Sequence, residues 1–201
     1  MTTKIAQWVS EEGLGIDVAS VGELEVALRA GIDPAQIVMH GNNKSVKDLE
    51  RAVEVGIGRI VIDSLIEIER LNSIAASAGI VQQVLLRLTV GVEAHTHEAI
   101  STAHEDQKFG LSVASGMAMA AVDNVMESDA LSLSGLHSHI GSQIFEATGF
   151  ELATHRVVDF AAQIKQRHGL TVCELDVGGG MGIAYVAGDD PLDVTTMAKS
   201  I

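Results

Sequence analysis

Six short, mainly apolar runs punctuate this chain, read as continuous rather than alternating, and segments of helical spacing lie between them. They occupy residues 14–18, 37–40, 59–62, 84–90, 131–137 and 172–177. A strand buried on one face alternates in polarity; a strand covered on both faces does not. Unbroken runs therefore require a parallel sheet with helices on both sides, joined by right-handed crossovers. The intervening segments carry helix punctuation. Ser20 precedes a helix through about Ala30 that stops at Gly31, with Leu24, Ala27 and Leu28 on one face. Ser45 precedes residues 46–55 and Gly56 ends them; residues 65–78 end at Gly79. Ser115 precedes a helix through about Met126, residues 150–167 form another, and a short one begins near Pro191.

Alternating strands and helices of this length suit a (β/α) barrel, but a closed barrel has eight units and here there are six. Residues 3–12 read as a helix with no strand before it, and the chain ends soon after the sixth run. The expected fold is α/β: an incomplete (β/α)8 TIM barrel lacking its first and last strands. No Pro-, Gly- or Ser-rich linker divides residues 1–201, so one domain is expected. Exposed strand edges would favour self-association of the isolated chain.

With aromatic residues at 3% and hydrophobic residues at 47%, the core must be aliphatic. A formal net charge of −14 argues against nucleic acid as a partner. Cys173 is the only cysteine, so no disulfide forms within one chain, and it is expected to be a packed small residue. No signal peptide and no apolar stretch of bilayer length are evident, and a cytoplasmic location is expected.

The chemistry concentrates after two of the strands. His137-Ser138-His139-Ile140-Gly141-Ser142-Gln143 follows the fifth run, and Asp176-Val177-Gly178-Gly179-Gly180 closes the sixth. Ligands of parallel α/β proteins bind at that end of the strands. A flat basic ring at His139, a hydroxyl at Ser142 and three glycines suit a planar, phosphorylated cofactor, because a Cβ would keep backbone N–H groups from a phosphate. The run from Gly178 to Gly182 does not match the dinucleotide G-x-G-x-x-G pattern. Bland readings stand beside these: His139 as a core histidine, Ser142 as a loop serine, the glycines as a plain turn. A rival reading is a metal site, because His95 and His97 with His137 and His139 make two His-x-His pairs, with Asp176 as a further ligand. Arg87 interrupts an apolar strand and needs a partner. Lys44 follows a strand, and Lys4 reads as an ordinary surface residue.

Further segments complete a pattern: Gly15-Ile16-Asp17-Val18-Ala19-Ser20, His40-Gly41-Asn42-Asn43-Lys44, Leu86-Arg87, His95-Thr96-His97 and Asp106-Gln107-Lys108-Phe109-Gly110. Taken in order with the two clusters above, they resemble the diaminopimelate decarboxylases. These are pyridoxal 5'-phosphate (PLP) enzymes of lysine biosynthesis within the alanine-racemase-like barrel superfamily. The resemblance implies that His139 lies against the face of the cofactor ring. It implies that Ser142, Gly178, Gly179 and Gly180 hold the phosphate, with Asp17 and Arg87 also near the cofactor. It places Lys108 at a subunit interface of a homodimer. It implies decarboxylation of meso-diaminopimelate to L-lysine. The family's cofactor lysine sits in a Tyr-Ala-x-Lys-Ala context that is absent here, as are the Glu-Pro-Gly-Arg segment and the C-terminal β-domain. The chain is therefore expected to be a fragment with no catalytic residue of its own and little activity alone. The alternatives are a non-catalytic PLP carrier or decoy, and a metal-dependent barrel hydrolase.

Overall fold

In the computed structural model, the structure describes residues 1–92, 108–188 and 191–201. The expected segments at His95, His97, Asp106 and Gln107 lie outside the described residues. The chain divides into two compact units, one of Met1–Leu86 with Ala120–Ser134, the other of Arg87–Met119 with Gly135–Ile201. The boundaries after Leu86 and Ser134 fall inside strands, and the one after Met119 falls inside a helix.

The first unit opens with helix α1 (Thr3–Glu11), then β1 (Ile16–Val18) and α2 (Val21–Arg29). Next come β2 (Ile37–Met39), α3 (Val46–Val55), β3 (Arg59–Ile62) and α4 (Leu65–Ala78), leading into β4 (Gln82–Thr89). The strands pair in parallel, with Ile16 opposite Ile37, Val38 opposite Arg59 and Ile60 opposite Val84. Local chemistry sets the helix ends. The Ser20 hydroxyl accepts from the Glu23 amide, and Ser45 and Asp48 form a reciprocal capping box. Gly56 and Gly79 take the left-handed conformation that ends α3 and α4. A tight turn at Pro34–Gln36 passes so close to Gly58 that a Cβ there would lie 2.1 Å from the Ala35 carbonyl oxygen. The core is aliphatic, as composition required: Leu24, Ile37, Met39, Leu49, Ile60, Ile62, Ile68, Leu71, Val84 and Leu86 are all fully buried or nearly so.

Most of helix α5 (Met117–Met126) and the start of β6 (Leu131–His137) also belong to this unit. The Ser115 hydroxyl accepts from the Met117 amide at 3.4 Å, at the start of α5. Gln82 donates its amide to the Ala130 carbonyl, and the Ser134 hydroxyl donates to the Val84 carbonyl, which seats β6 beside β4.

The second unit holds the ends of β4 and β6, a two-residue strand β5 (Leu111–Ser112), β7 (Glu174–Asp176) and helices α6 (Thr148–His168) and α7 (Val194–Ser200). β5 pairs in parallel with the end of β4, and β7 with the end of β6, His137 lying opposite Asp176. A second apolar cluster forms from Ile144, Phe150 and Met197, with Ile140, Met181 and Leu192 packed on it. Arg156 of α6 donates to the carbonyls of Val90 and Gly91, fixing the chain where β4 ends.

Among the described residues the sheet order is β1-β2-β3-β4-β6-β7, with β5 off β4. This is the α/β class expected, with consecutive parallel β/α units too few for an eight-stranded barrel. Two details differ from expectation. β5 is an added strand, too short to leave a sequence signal. Cys173 is exposed rather than packed, because the last strand starts only at Glu174 and carries Leu175 at 40% exposure. No helix among the described residues is long and apolar enough to cross a membrane.

Candidate functional site

The second unit places two loops side by side at the carboxyl ends of β6 and β7. Between them the backbone continues a ladder: Ile144 donates to the Gly180 carbonyl at 2.9 Å, and Gly182 donates to the Ile144 carbonyl at 2.7 Å. This contact tolerates no side chain at Gly180, where φ is +99° and a Cβ would stand 1.9 Å from the Gly141 oxygen and 3.1 Å from Cα of Ser142. Gly178, at φ +73°, sits as tightly on the other loop. A Cβ there would lie 2.7 Å from the Ser138 oxygen and 3.0 Å from Nδ1 of His139. Gly179 between them has open space where its side chain would be. His139, Ser142 and the three glycines are thus brought together.

His139 is exposed, so it is not a core histidine. It borders a cleft of about 310 Å³ with Arg87, Phe109, Ser138, Ile140 and Gly141. The Arg87 guanidinium finds its partner in the Phe109 ring, 4.4 Å from the centroid, and Lys108 approaches the same ring at 5.1 Å. Phe109 is held there by the Thr89 hydroxyl, which donates to its carbonyl at 2.7 Å. Ser138 is 2% exposed, and its hydroxyl has no hydrogen-bond partner among the described residues.

These features fit a flat phosphorylated ring. The cleft offers an imidazole, a guanidinium and an orphaned buried hydroxyl. The adjoining turn exposes a glycine backbone with nothing in front of it at Gly179. The residues placed to hold such a group are His139, which lines the cleft with Arg87, and, beside it, Ser142 and Gly178 to Gly180.

The first unit arranges its strand ends differently. Lys44 is 4% exposed, and its ammonium sits 2.6 Å from each of three oxygens: the carbonyls of Gly41 and Val61 and Oε1 of Glu67. An ammonium has three protons, and all are used here. Lys44 is thus unsuited to a reactive role. Burial pushes the Glu67 carboxyl above the usual carboxylate range, and the Lys44 ammonium pulls it partly back. Asp17, with its side chain 69% exposed, lies 3.5 Å from His40 Nε2. It belongs to the first unit, and the cleft just described belongs to the second.

The two histidines of the His137–His139 pair part company. His137 is buried, with Nδ1 3.0 Å from Asp176 Oδ2, while His139 borders the cleft. Among the described residues no group of three or more His, Cys, Asp or Glu side chains is placed to hold a metal ion. Sequence reasoning missed Gln143. It is the one non-glycine residue of positive φ (57°) among those described, and its side-chain amide both donates to and accepts from the backbone of Ile183. Its place after Gly141-Ser142 was the available signal. Phe109 was also missed as an arginine platform, because no local pattern links it to Arg87.

Comparison with known proteins bears on this site. Residues 1–201 match the family described as "Pyridoxal-dependent decarboxylase, pyridoxal binding domain". The chain is 57% identical over 205 residues to the diaminopimelate decarboxylase of Mycobacterium tuberculosis, covering all of this chain and 46% of that protein. It is 58% identical to that of Mycobacterium leprae, covering all of this chain and 43% of the relative. Among solved structures, diaminopimelate decarboxylase from M. jannaschii superimposes with a TM-score of 0.91 at 32% identity, over 99% of this chain and 46% of that one. The chain therefore spans under half the length of these relatives.

Proposed function

The chain belongs to the pyridoxal-dependent decarboxylases, and from that premise we propose that it forms the cofactor-holding part of a diaminopimelate decarboxylase. The reaction is meso-diaminopimelate to L-lysine and CO2. When bound, PLP supplies an electron sink for the pair left behind as the α-carboxylate departs. The residues of this chain orient that sink. His139 would hold the face of the ring. Ser142 and the turn from Gly178 to Gly180 would hold the phosphate. Arg87, its guanidinium over the Phe109 ring, would lie near the ring substituents.

The observation that carries this reading is the seat of Gly178 against the His139 ring, which puts the imidazole and the glycine turn within reach of one small ligand. The role of Asp17 rests on the family resemblance alone. So does a homodimer with Lys108 at its interface, whereas a cytoplasmic location rests on the single cysteine, and the reading of residues 1–201 as one partial barrel domain rests on the lack of a Pro-, Gly- or Ser-rich linker.

The test is binding of 4'-deoxypyridoxine 5'-phosphate, which has no aldehyde to react with surface lysines. Equilibrium dialysis should detect it, with affinity falling about tenfold or more in His139→Ala, the scale of a lost stacking contact with a charged or aromatic ring. Pyridoxine without phosphate should bind more weakly. Equal binding of both ligands, or an indifferent His139→Ala, sinks the assignment. With PLP and meso-diaminopimelate, the chain alone is expected to release little CO2, since no Tyr-Ala-x-Lys-Ala segment occurs among its 201 residues.

A further inference from the structure

We propose that Asp176 is the positioning residue of this site, setting the glycine turn against His139 by bridging the buried His137 to the Gly178 amide. The inference concerns how the turn is held; its consequence for the cofactor rests on the reading above.

Asp176 ends β7 directly opposite His137 in the parallel register. Its three oxygens face three different groups. Oδ2 lies 3.0 Å from His137 Nδ1, Oδ1 accepts from the Gly178 amide at 2.8 Å, and the main-chain oxygen accepts from the Ser138 amide at 2.9 Å. The His137 side chain is 4% exposed, so one end of the bridge is anchored in a dry, immobile environment. The Gly178 bond is charge-assisted and so stronger than a neutral one, and the close approach of Oδ2 to the buried imidazole, an ion pair when that ring is protonated, restricts the carboxylate's rotamer from the other side.

The other end of the bridge is the residue that must not move. Gly178 rests 3.0 Å (as a Cβ position) from the imidazole of His139 and 3.1 Å from its Cα. Any shift of the turn toward the loop collides with the Ser138 carbonyl, and any shift away opens the gap to the imidazole. Ligand-contacting groups need such supporting bonds to hold their geometry within a fraction of an ångström. The outer partners of ligating groups are typically as consequential as the ligating groups themselves. The first histidine of the His-x-His pair thus acts as an anchor, while the second faces the ligand.

Two variants test this. Asp176→Ala removes the Gly178 hydrogen bond and the contact with His137. Asp176→Asn keeps an oxygen for Gly178 and serves as the rescue. Two readouts are taken on each: the Gly178 amide and His139 ring signals by NMR, and the affinity for 4'-deoxypyridoxine 5'-phosphate. The expectation is that Asp176→Ala moves both signals and weakens binding about tenfold or more, the fold-change matching loss of a charge-assisted hydrogen bond. Asp176→Asn should keep the Gly178 signal near its original position and most of the affinity. Unmoved Gly178 and His139 signals in Asp176→Ala overturn the proposal. So does Asp176→Asn behaving like the alanine variant in both readouts. If Asp176→Ala does not fold, Asp176→Asn decides: a Gly178 amide still hydrogen-bonded supports the bridge, and one released to solvent overturns it. Should the unmodified chain bind no phosphorylated pyridine, the cofactor reading fails while the NMR signals still decide the role of Asp176.

Discussion

The loops after β2 and β3 and the loops after β6 and β7 occupy equivalent places in their own units, yet they satisfy their polar groups in opposite ways. In the first unit a buried ammonium closes the loop on itself, with Lys44 spending all three protons on Gly41, Val61 and Glu67. In the second, glycines let two backbones touch, and the His139 imidazole beside them is exposed at the border of a cleft. The contrast teaches how to tell scaffold from site when both sit at strand ends. A charge that is buried and fully paired holds the framework. An exposed imidazole beside a glycine turn offers itself to a ligand.

The largest test of that contrast is Lys44→Met. It strands the Glu67 carboxylate, and chemical unfolding followed by circular dichroism should show a loss of about 3–5 kcal/mol. A loss near zero would mean that the ammonium locks nothing. Next in size is Gly180→Ala, which drives a Cβ into the Gly141 carbonyl at positive φ and should cost about 2–4 kcal/mol. Gly179→Ala, one residue away with open space around it, should stay within about 0.5 kcal/mol. If the two alanines cost the same, the glycine turn is not the tight seat described. The smallest effect is on pH dependence. Burial raises the Glu67 carboxyl, so the folded state binds its proton more tightly than the unfolded chain does. That contribution is complete below the unfolded pKa and is lost as pH rises through the raised folded value. The unfolding free energy of the protein relative to Glu67→Gln should therefore fall as pH climbs from acid toward neutral. A difference that is flat across that window, or one that rises, contradicts the assignment.

Much of the framework was legible in the sequence because its signals are local. Ser45 and Gly56 bracket α3 at the expected residues, and α4 and β6 also have the expected bounds, since capping and apolar runs act over a few residues. The site was half legible. His139 and the glycines stand out by type and spacing, and the structure brings them together. The division of labour between His137 and His139 could not be read, because both side chains belong to one His-x-His pattern. Only the register with β7, which sets Asp176 opposite His137, tells them apart. The Lys44–Glu67 pair was hidden for the same reason: its members are on different elements, and an acidic helix residue ordinarily faces solvent. Cys173 misled because the apolar run from 172 suggested a longer strand than the one that forms at Glu174.

That exposed thiol has a practical use. The sequence contains one cysteine, and it stands one residue before β7, on the strand that ends at Asp176. A maleimide dye or nitroxide label would therefore attach at a single address without mutagenesis. Its signal on adding a phosphorylated pyridine would report from the opposite end of β7 whether the strand stays still as its glycine turn is filled.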